Sequence, residues 1–226
     1  SLVAAELGAG GLHSTARDYA RFLLAARAAW LGQPGAVLGR ELARTAMTRV
    51  AASSFGLGFR VLGDGPTARL NHGGSNDGYQ SETNVFLESG DGGVVLTNAT
   101  SGLFLYREVF NALAEVGGWP GFMPAPKHLA RLSEQELQRY AGNYRIASGI
   151  EVPLMRVWVQ DGRLFNEIPG LRFGVQEVFV DMDGVLFNQT GPFETRVEFD
   201  DDGKAASLLV SRSEERRVGK ECVRLC

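Results

Sequence analysis

Outside its last fifteen residues the chain has no cysteine; Cys222 and Cys226 are the only two in 226 residues. Disulfide scaffolding and thiol chemistry are thereby excluded for everything before Arg212, and cysteine usage says nothing about compartment. No apolar run approaches the roughly 20 residues of a membrane span, and the opening SLVAAELGAGG lacks the basic segment of a signal peptide. No initiator methionine is present. A formal charge of -3 offers no general attraction for nucleic acid, which would call for a basic face. What remains, at 44% hydrophobic and 22% charged residues, is a globular chain long enough for one large domain or two small ones.

The final stretch RSEERRVGKECVRLC breaks with this composition. It carries five basic residues and three glutamates, and without it the chain has 18 basic and 23 acidic residues, a net charge of -5. Arg212 to Cys222 resembles the translation of a common sequencing adapter, so residues 212–226 are expected to be an artefactual tail outside the fold.

The pattern before it predicts an α+β chain. Ser14 to Trp30 reads as a helix whose Ala16, Tyr19, Ala20, Leu23, Leu24, Arg27 and Trp30 share a face, capped by Ser14 or Thr15 with Asp18 following. A second helix is expected over Arg40 to Val50, and a strand in SSFGLGFRVL. Residues 68–73, 78–87 and 93–97 then read as a meander, with turns at Ser75-Asn76-Asp77 and Ser89 to Gly92. Ser101 to Val116 reads as a helix that covers the sheet through Leu103, Phe104, Phe110, Leu113 and Val116. GGWPGFMPAP stops it.

Beyond that, LSEQELQRYAGNYR gives a short capped helical turn. Three Asp-Gly pairs, at 161–162, 183–184 and 202–203, then sit between alternating apolar runs. Aspartate followed by glycine favours tight hairpins, so residues 132–211 are expected to form a small antiparallel β-barrel. The expected division is thus 1–118, a linker over 119–131, 132–211 and the tail 212–226.

One stretch stands apart. His72-Gly73-Gly74 ends a strand-like run, although glycine in a strand gives up packing and backbone entropy and so marks a bulge or the close approach of another backbone or ligand. Read in order, GAGGLHSTARDYARFL, SSFGLGFRV, NHGGSNDGYQS and GGVVLTN resemble the C-terminal part of the catalytic domain of the serine β-lactamase and penicillin-binding-protein superfamily, in its class C-like branch. The segment from Leu132 onward looks like the lipocalin-like barrel that many of these hydrolases carry.

The resemblance implies an acyl-transferring serine hydrolase acting on an amide, ester or β-lactam, on a small-molecule or peptide substrate, with neither cofactor nor metal. His72 would match the family's strand-borne His-x-Gly motif and serve catalysis by orienting protons or a substrate carboxylate. Gly73 and Gly74 would line the substrate. The Ser75 amide would be an oxyanion donor beside that of the nucleophile. A periplasmic or secreted location is also implied by the family.

The family's other two motifs are missing. Each of Lys127, Lys204 and Lys220 would need serine three residues earlier, and Pro124, Asp201 and Arg217 stand there. No nucleophile is therefore assigned in this chain. Tyr79-Gln80-Ser81 imitates a tyrosine motif but follows the glycines instead of preceding them, so Tyr79 is read as a strand residue. These features suggest a truncated reading frame whose isolated product is inactive. The alternative is a non-catalytic module whose β domain holds an apolar ligand.

Other candidates weigh less. His13 and His128 lack the spacing of a zinc site with His72. Asp181, Asp183, Asp200, Asp201 and Asp202 could suggest calcium, but aspartate is favoured at hairpin turns for backbone reasons. Trp30, Trp119 and Trp158 are read as packing residues.

Overall fold

A computed structural model describes residues 10–51, 53–146, 155–169, 174–188, 193–212 and 221–225. It divides the chain into two units, Ser1–Pro124 and Ala125–Cys226. The boundary falls inside the segment 119–131. Trp119 and Phe122 pack with Phe86 and Phe110 in the first unit, whereas the Ala130 N–H bonds the Val180 carbonyl in the second.

In the first unit, helix α1 (Ala16–Leu31) starts where the local chemistry places it: Thr15 is the N-cap, and its side chain accepts from the Asp18 N–H. Gly32 ends the helix in the left-handed conformation, at φ 74°. Helix α2 (Arg40–Ala46) is shorter than expected. The sheet runs β1-β2-β3-β4, with β1 at Arg60–Leu62, β2 at Arg69–Asn76, β3 at Tyr79–Phe86 and β4 at Gly92–Thr97, all antiparallel.

Alternation along the strands gives the sheet two buried faces. Leu70 and Val85 pack with Leu23 and Ala26 of α1, while Phe86 on the other face packs with Phe110 and Ala114 of α3 (Gly102–Gly117). Both helices bury narrower stripes than expected. Leu24 is exposed, and Ala26 and Ala29 are buried in its place; on α3, Leu113 and Val116 face solvent and Ala114 takes their role. Small residues win because they let a helix lie close on a sheet. The strand expected in SSFGLGFRVL shrinks to three residues and a bridge between Phe55 and Arg60. A side chain at Gly56 would strike the Ala46 carbonyl at 2.4 Å, which marks a close approach of two backbones at that glycine.

The second unit is a closed antiparallel barrel in the order β10-β11-β12-β5-β6-β7-β8-β9. Its strands are β5 (Gly142–Ile146), β6 (Met155–Gln160), β7 (Arg163–Glu167), β8 (Gln176–Val180), β9 (Val185–Phe187), β10 (Phe193–Phe199), β11 (Ala205–Arg212) and β12 (Glu221–Leu225). At the first Asp-Gly pair, Asp161 and Gly162 take φ 51° and 70°, as a type I′ hairpin requires, between paired Gln160 and Arg163. Helix α4 (Glu134–Gln138) begins in a capping box of Ser133 and Glu136. Tyr144, Leu164 and Leu208 fill the interior with Met155, Val157, Val178 and Tyr140.

The segment expected to lie outside the fold contributes to it. Arg212 ends β11, and Glu221–Leu225 pairs with β11 on one side and β5 on the other, closing the barrel. Main-chain hydrogen bonds depend little on side-chain identity, and without β12 the strands β11 and β5 would each present an open edge. Residues 213–220 and Cys226 lie outside the described residues.

Candidate active site

The loop at the end of β2 is tighter than the sequence reading placed it. Asn76 pairs with Tyr79, so β2 runs through Ser75 and the turn is Asp77-Gly78, with Gly78 at φ 79°. His72, Gly73, Gly74 and Ser75 are therefore strand residues, paired with Thr83, Glu82, Ser81 and Gln80 of β3.

The ladder decides which way their backbone groups point. The Leu87 N–H bonds the Ala68 carbonyl, so even-numbered residues of β2 direct their N–H and C=O groups toward β3. Odd-numbered residues direct theirs to the other side, where β1 pairs only with Arg69, Leu70 and Asn71. Among the described residues no strand continues that pairing. The N–H and C=O groups of Gly73 and Ser75 thus lie along an open sheet edge.

His72 is exposed and, by alternation, shares a face with Leu70. Its carbonyl accepts from Thr83 Oγ1 at 3.0 Å, which fixes the backbone behind the imidazole. Ser75 points to the opposite face, where its Oγ accepts from Gln80 Nε2 at 2.9 Å. Gln80 is buried, and its carbonyl accepts from Thr97 Oγ1 at 3.0 Å, so three strands hold the Ser75 position. A side chain at Gly74 would meet Ser81 Oγ at 2.6 Å.

That opposite face carries a polar group the sequence reading missed. Buried Asn71 donates through Nδ2 to Glu82 Oε1, to the Thr83 carbonyl at 3.0 Å and to Asn84 Oδ1 at 3.2 Å. Tyr106 of α3 lies within electrostatic reach. Burial raises its pKa and Glu82 adds to the rise, while Arg107 and Arg60 oppose it. The one available signal was alternation: Glu82 and Asn84 flank Thr83 and share a face with paired Asn71.

The remaining candidates make contacts of other kinds. Tyr79 is exposed at the start of β3, and His13 is exposed ahead of α1. The His128 carbonyl accepts from the Met182 N–H in the second unit. Asp181 Oδ1 accepts from the N–H groups of Asp183 and Val185 at 3.0 and 2.8 Å, and Asp200 Oδ1 from those of Asp202 and Lys204 at 3.0 and 2.9 Å. These two carboxylates organise turns. Trp30 and Trp119 pack in the two clusters of the first unit, and Trp158 stacks on Phe165. No helix among the described residues is long and apolar enough to cross a membrane.

No family model matches the chain, and no curated protein matches it in sequence. The chain is similar to a solved structure described as the crystal structure of SurE, at 17% identity and TM-score 0.47, covering 94% of this chain and 48% of that one. It is similar to SurE with D-Leu, at 18% identity and TM-score 0.41, covering 84% and 44%. A third similar structure is the octameric penicillin-binding protein homologue from Pyrococcus abyssi, at 18% identity and TM-score 0.44, covering 93% and 47%. The chain spans about half the length of the first of these, 48%. Likeness at this level carries no argument about activity.

Proposed function

We propose that this chain supplies the oxyanion-strand side of a metal-independent serine hydrolase that acts by acyl transfer on an amide, ester or β-lactam. The observation that supports the reading most directly is the open edge of β2, where Gly73 and Ser75 present backbone groups that no described strand pairs, beside the exposed His72. A substrate backbone laid along that edge places its carbonyl near the Ser75 N–H. A serine hydroxyl attacks the carbonyl carbon and gives its proton to a lysine or tyrosine base. The carbonyl oxygen becomes an oxyanion held by the Ser75 N–H and the nucleophile's own N–H.

Collapse expels the protonated amine or alcohol and leaves an acyl-enzyme, which water hydrolyses. One preorganised donor of this kind lowers the barrier by about 3–4 kcal/mol. His72 orients protons or a substrate carboxylate. This chain contains no Ser-x-x-Lys, so the nucleophile comes from sequence outside it, and the chain alone is inactive.

Sequencing the coding region upstream of Ser1 tests the proposal. A Ser-x-x-Lys followed by a Tyr-x-Asn or Ser-x-Asn is expected there, and a reading frame without them overturns it. In the extended protein, His72→Ala is expected to lower kcat/KM on a p-nitrophenyl ester by about 10² to 10⁴ with little change in melting temperature. The rival reading, a barrel that holds an apolar ligand, is disfavoured by an interior occupied by Tyr144, Leu164 and Leu208, all essentially inaccessible.

A further inference from the structure

We propose that Glu82 is a positioning residue for the open edge of β2: its carboxylate, held by Asn71 and lying across Gly73 on the face opposite His72, sets the backbone from which Gly73 and Ser75 present their N–H groups. The inference rests on reading that edge as the substrate-facing site. A Cβ built on Gly73 would fall 2.5 Å from Glu82 Oε2 and 3.3 Å from the Ser81 carbonyl. Glycine is therefore favoured at this position by a neighbour within the same sheet, before any substrate is considered.

The two residues are directly paired in the ladder, so the carboxylate belongs to the residue opposite Gly73 and reaches back over it. Its other oxygen accepts from Asn71 Nδ2, and Asn71 is 5% exposed. Asn71 also donates to the Thr83 carbonyl and to Asn84 Oδ1, so its amide plane is held from several directions.

A carboxylate is the far end of a flexible side chain. A methyl added at Gly73 would push it aside, break its contact with Asn71 and release the backbone which that contact holds. The cost of that substitution is then the Asn71–Glu82 contact, set against the usual gain when alanine replaces glycine in a strand. Tyr106 of α3 lies within electrostatic reach of this carboxylate, and Arg107 of α3 and Arg60 of β1 act on Tyr106 in turn.

The test uses the full chain. Amide ¹H–¹⁵N shifts of Gly73, Gly74 and Ser75 are followed against pH, with thermal unfolding of the same samples. In the unsubstituted chain these amides are expected to move with a carboxylate titration in the acid range, and Glu82→Gln should abolish the titration while keeping the neutral-pH shifts, because the amide retains an acceptor oxygen for Asn71. Glu82→Ala should displace all three amides. Gly73→Ala should lower the melting temperature in the original background and leave it unchanged or raised in the Glu82→Ala background.

If Glu82→Gln displaces the amides as far as Glu82→Ala does, or Gly73→Ala costs the same in both backgrounds, the proposal falls. Should Glu82→Ala fail to fold, Glu82→Thr, whose side chain is too short to reach Asn71, takes its place in both comparisons. An upstream sequence without a nucleophile would remove the catalytic reading and leave this coupling intact, so the two failures are distinguishable.

Discussion

Lys127 Nζ lies 3.0 Å from Asp181 Oδ2, joining the segment that leads into the barrel to the turn after β8. Lys127 also reaches Glu194 at 3.1 Å, and the Leu129–Asp181 bridge and the Ala130–Val180 hydrogen bond continue the same contact. Burial alone would raise the Asp181 pKa, but the Val185 N–H, Lys127 and the Asp183 N–H together bring it below the ordinary value. The folded-state pKa is depressed, so this stabilisation is complete above the unfolded carboxylate pKa and is lost as pH falls through the folded one. Lys127→Met is expected to cost about 1–2 kcal/mol at pH 7. Denaturant unfolding at pH 7 and near pH 2.5 checks it: the gap between the two proteins should close in acid.

Tyr144 yields a prediction at the alkaline end. Its ring is fully buried in the barrel, its hydroxyl donates to the Tyr140 carbonyl at 2.6 Å, and burial pushes its pKa up to about 12. Because the folded-state pKa of this neutral acid is raised, stability is retained below pH 10 and declines between pH 10 and 12. Tyr144→Phe should cost roughly 1–2 kcal/mol by leaving a buried carbonyl without its donor. Absorbance titration of the tyrosinate band should show one fewer group ionising only at the alkaline extreme, and an unchanged curve in the variant would contradict the assignment.

The closing strand gives a third test. Val223 pairs with Leu208 on one side and Ile146 on the other. Val223→Pro removes a ladder donor and should destabilise the barrel by about 1–3 kcal/mol. Truncation after Arg212 should do more, since it exposes the edges of β11 and β5 and favours association between chains. Unfolding followed by Trp158 fluorescence in a Trp30→Phe, Trp119→Phe background, with light scattering for association, reads both effects; a truncated chain of unchanged stability would place residues 213–226 outside the fold after all.

Catalytic inertness is the fourth. A serine-directed fluorophosphonate, or a penicillin, should leave the isolated chain unlabelled, because removing the nucleophile of a catalytic unit costs many powers of ten in rate. Stoichiometric labelling of any serine, read by intact mass, would sink the assignment of the nucleophile to sequence outside this chain.

What the sequence determined by itself was local chemistry. Thr15 and Asp18 cap α1, Ser133 and Glu136 box α4, and Asp161-Gly162 turns a hairpin, because each of these arrangements is complete within four residues and draws on backbone groups that are always there. The same chemistry at Asp77-Gly78 turns the β2–β3 hairpin, which makes Ser75 a strand residue where the turn was expected to begin. His72, Gly73, Gly74 and Ser75 stood out as a candidate site for want of any local reason to place glycines there.

Only the tertiary structure decided the rest, because the deciding partners are distant in sequence. Among the described residues the edge of β2 at Gly73 and Ser75 is open because β1 begins only at Arg60, and Glu82 reaches Gly73 and Asn71 only once two strands are in register. Ala26, Ala29 and Ala114 displace Leu24, Leu113 and Val116 from the core because helix-to-sheet distance, which no periodicity encodes, selects for size. Glu221–Leu225 enters the barrel because two strand edges needed hydrogen-bond partners, a demand set by the closed sheet and met by main chain with little regard to the side chains it carries.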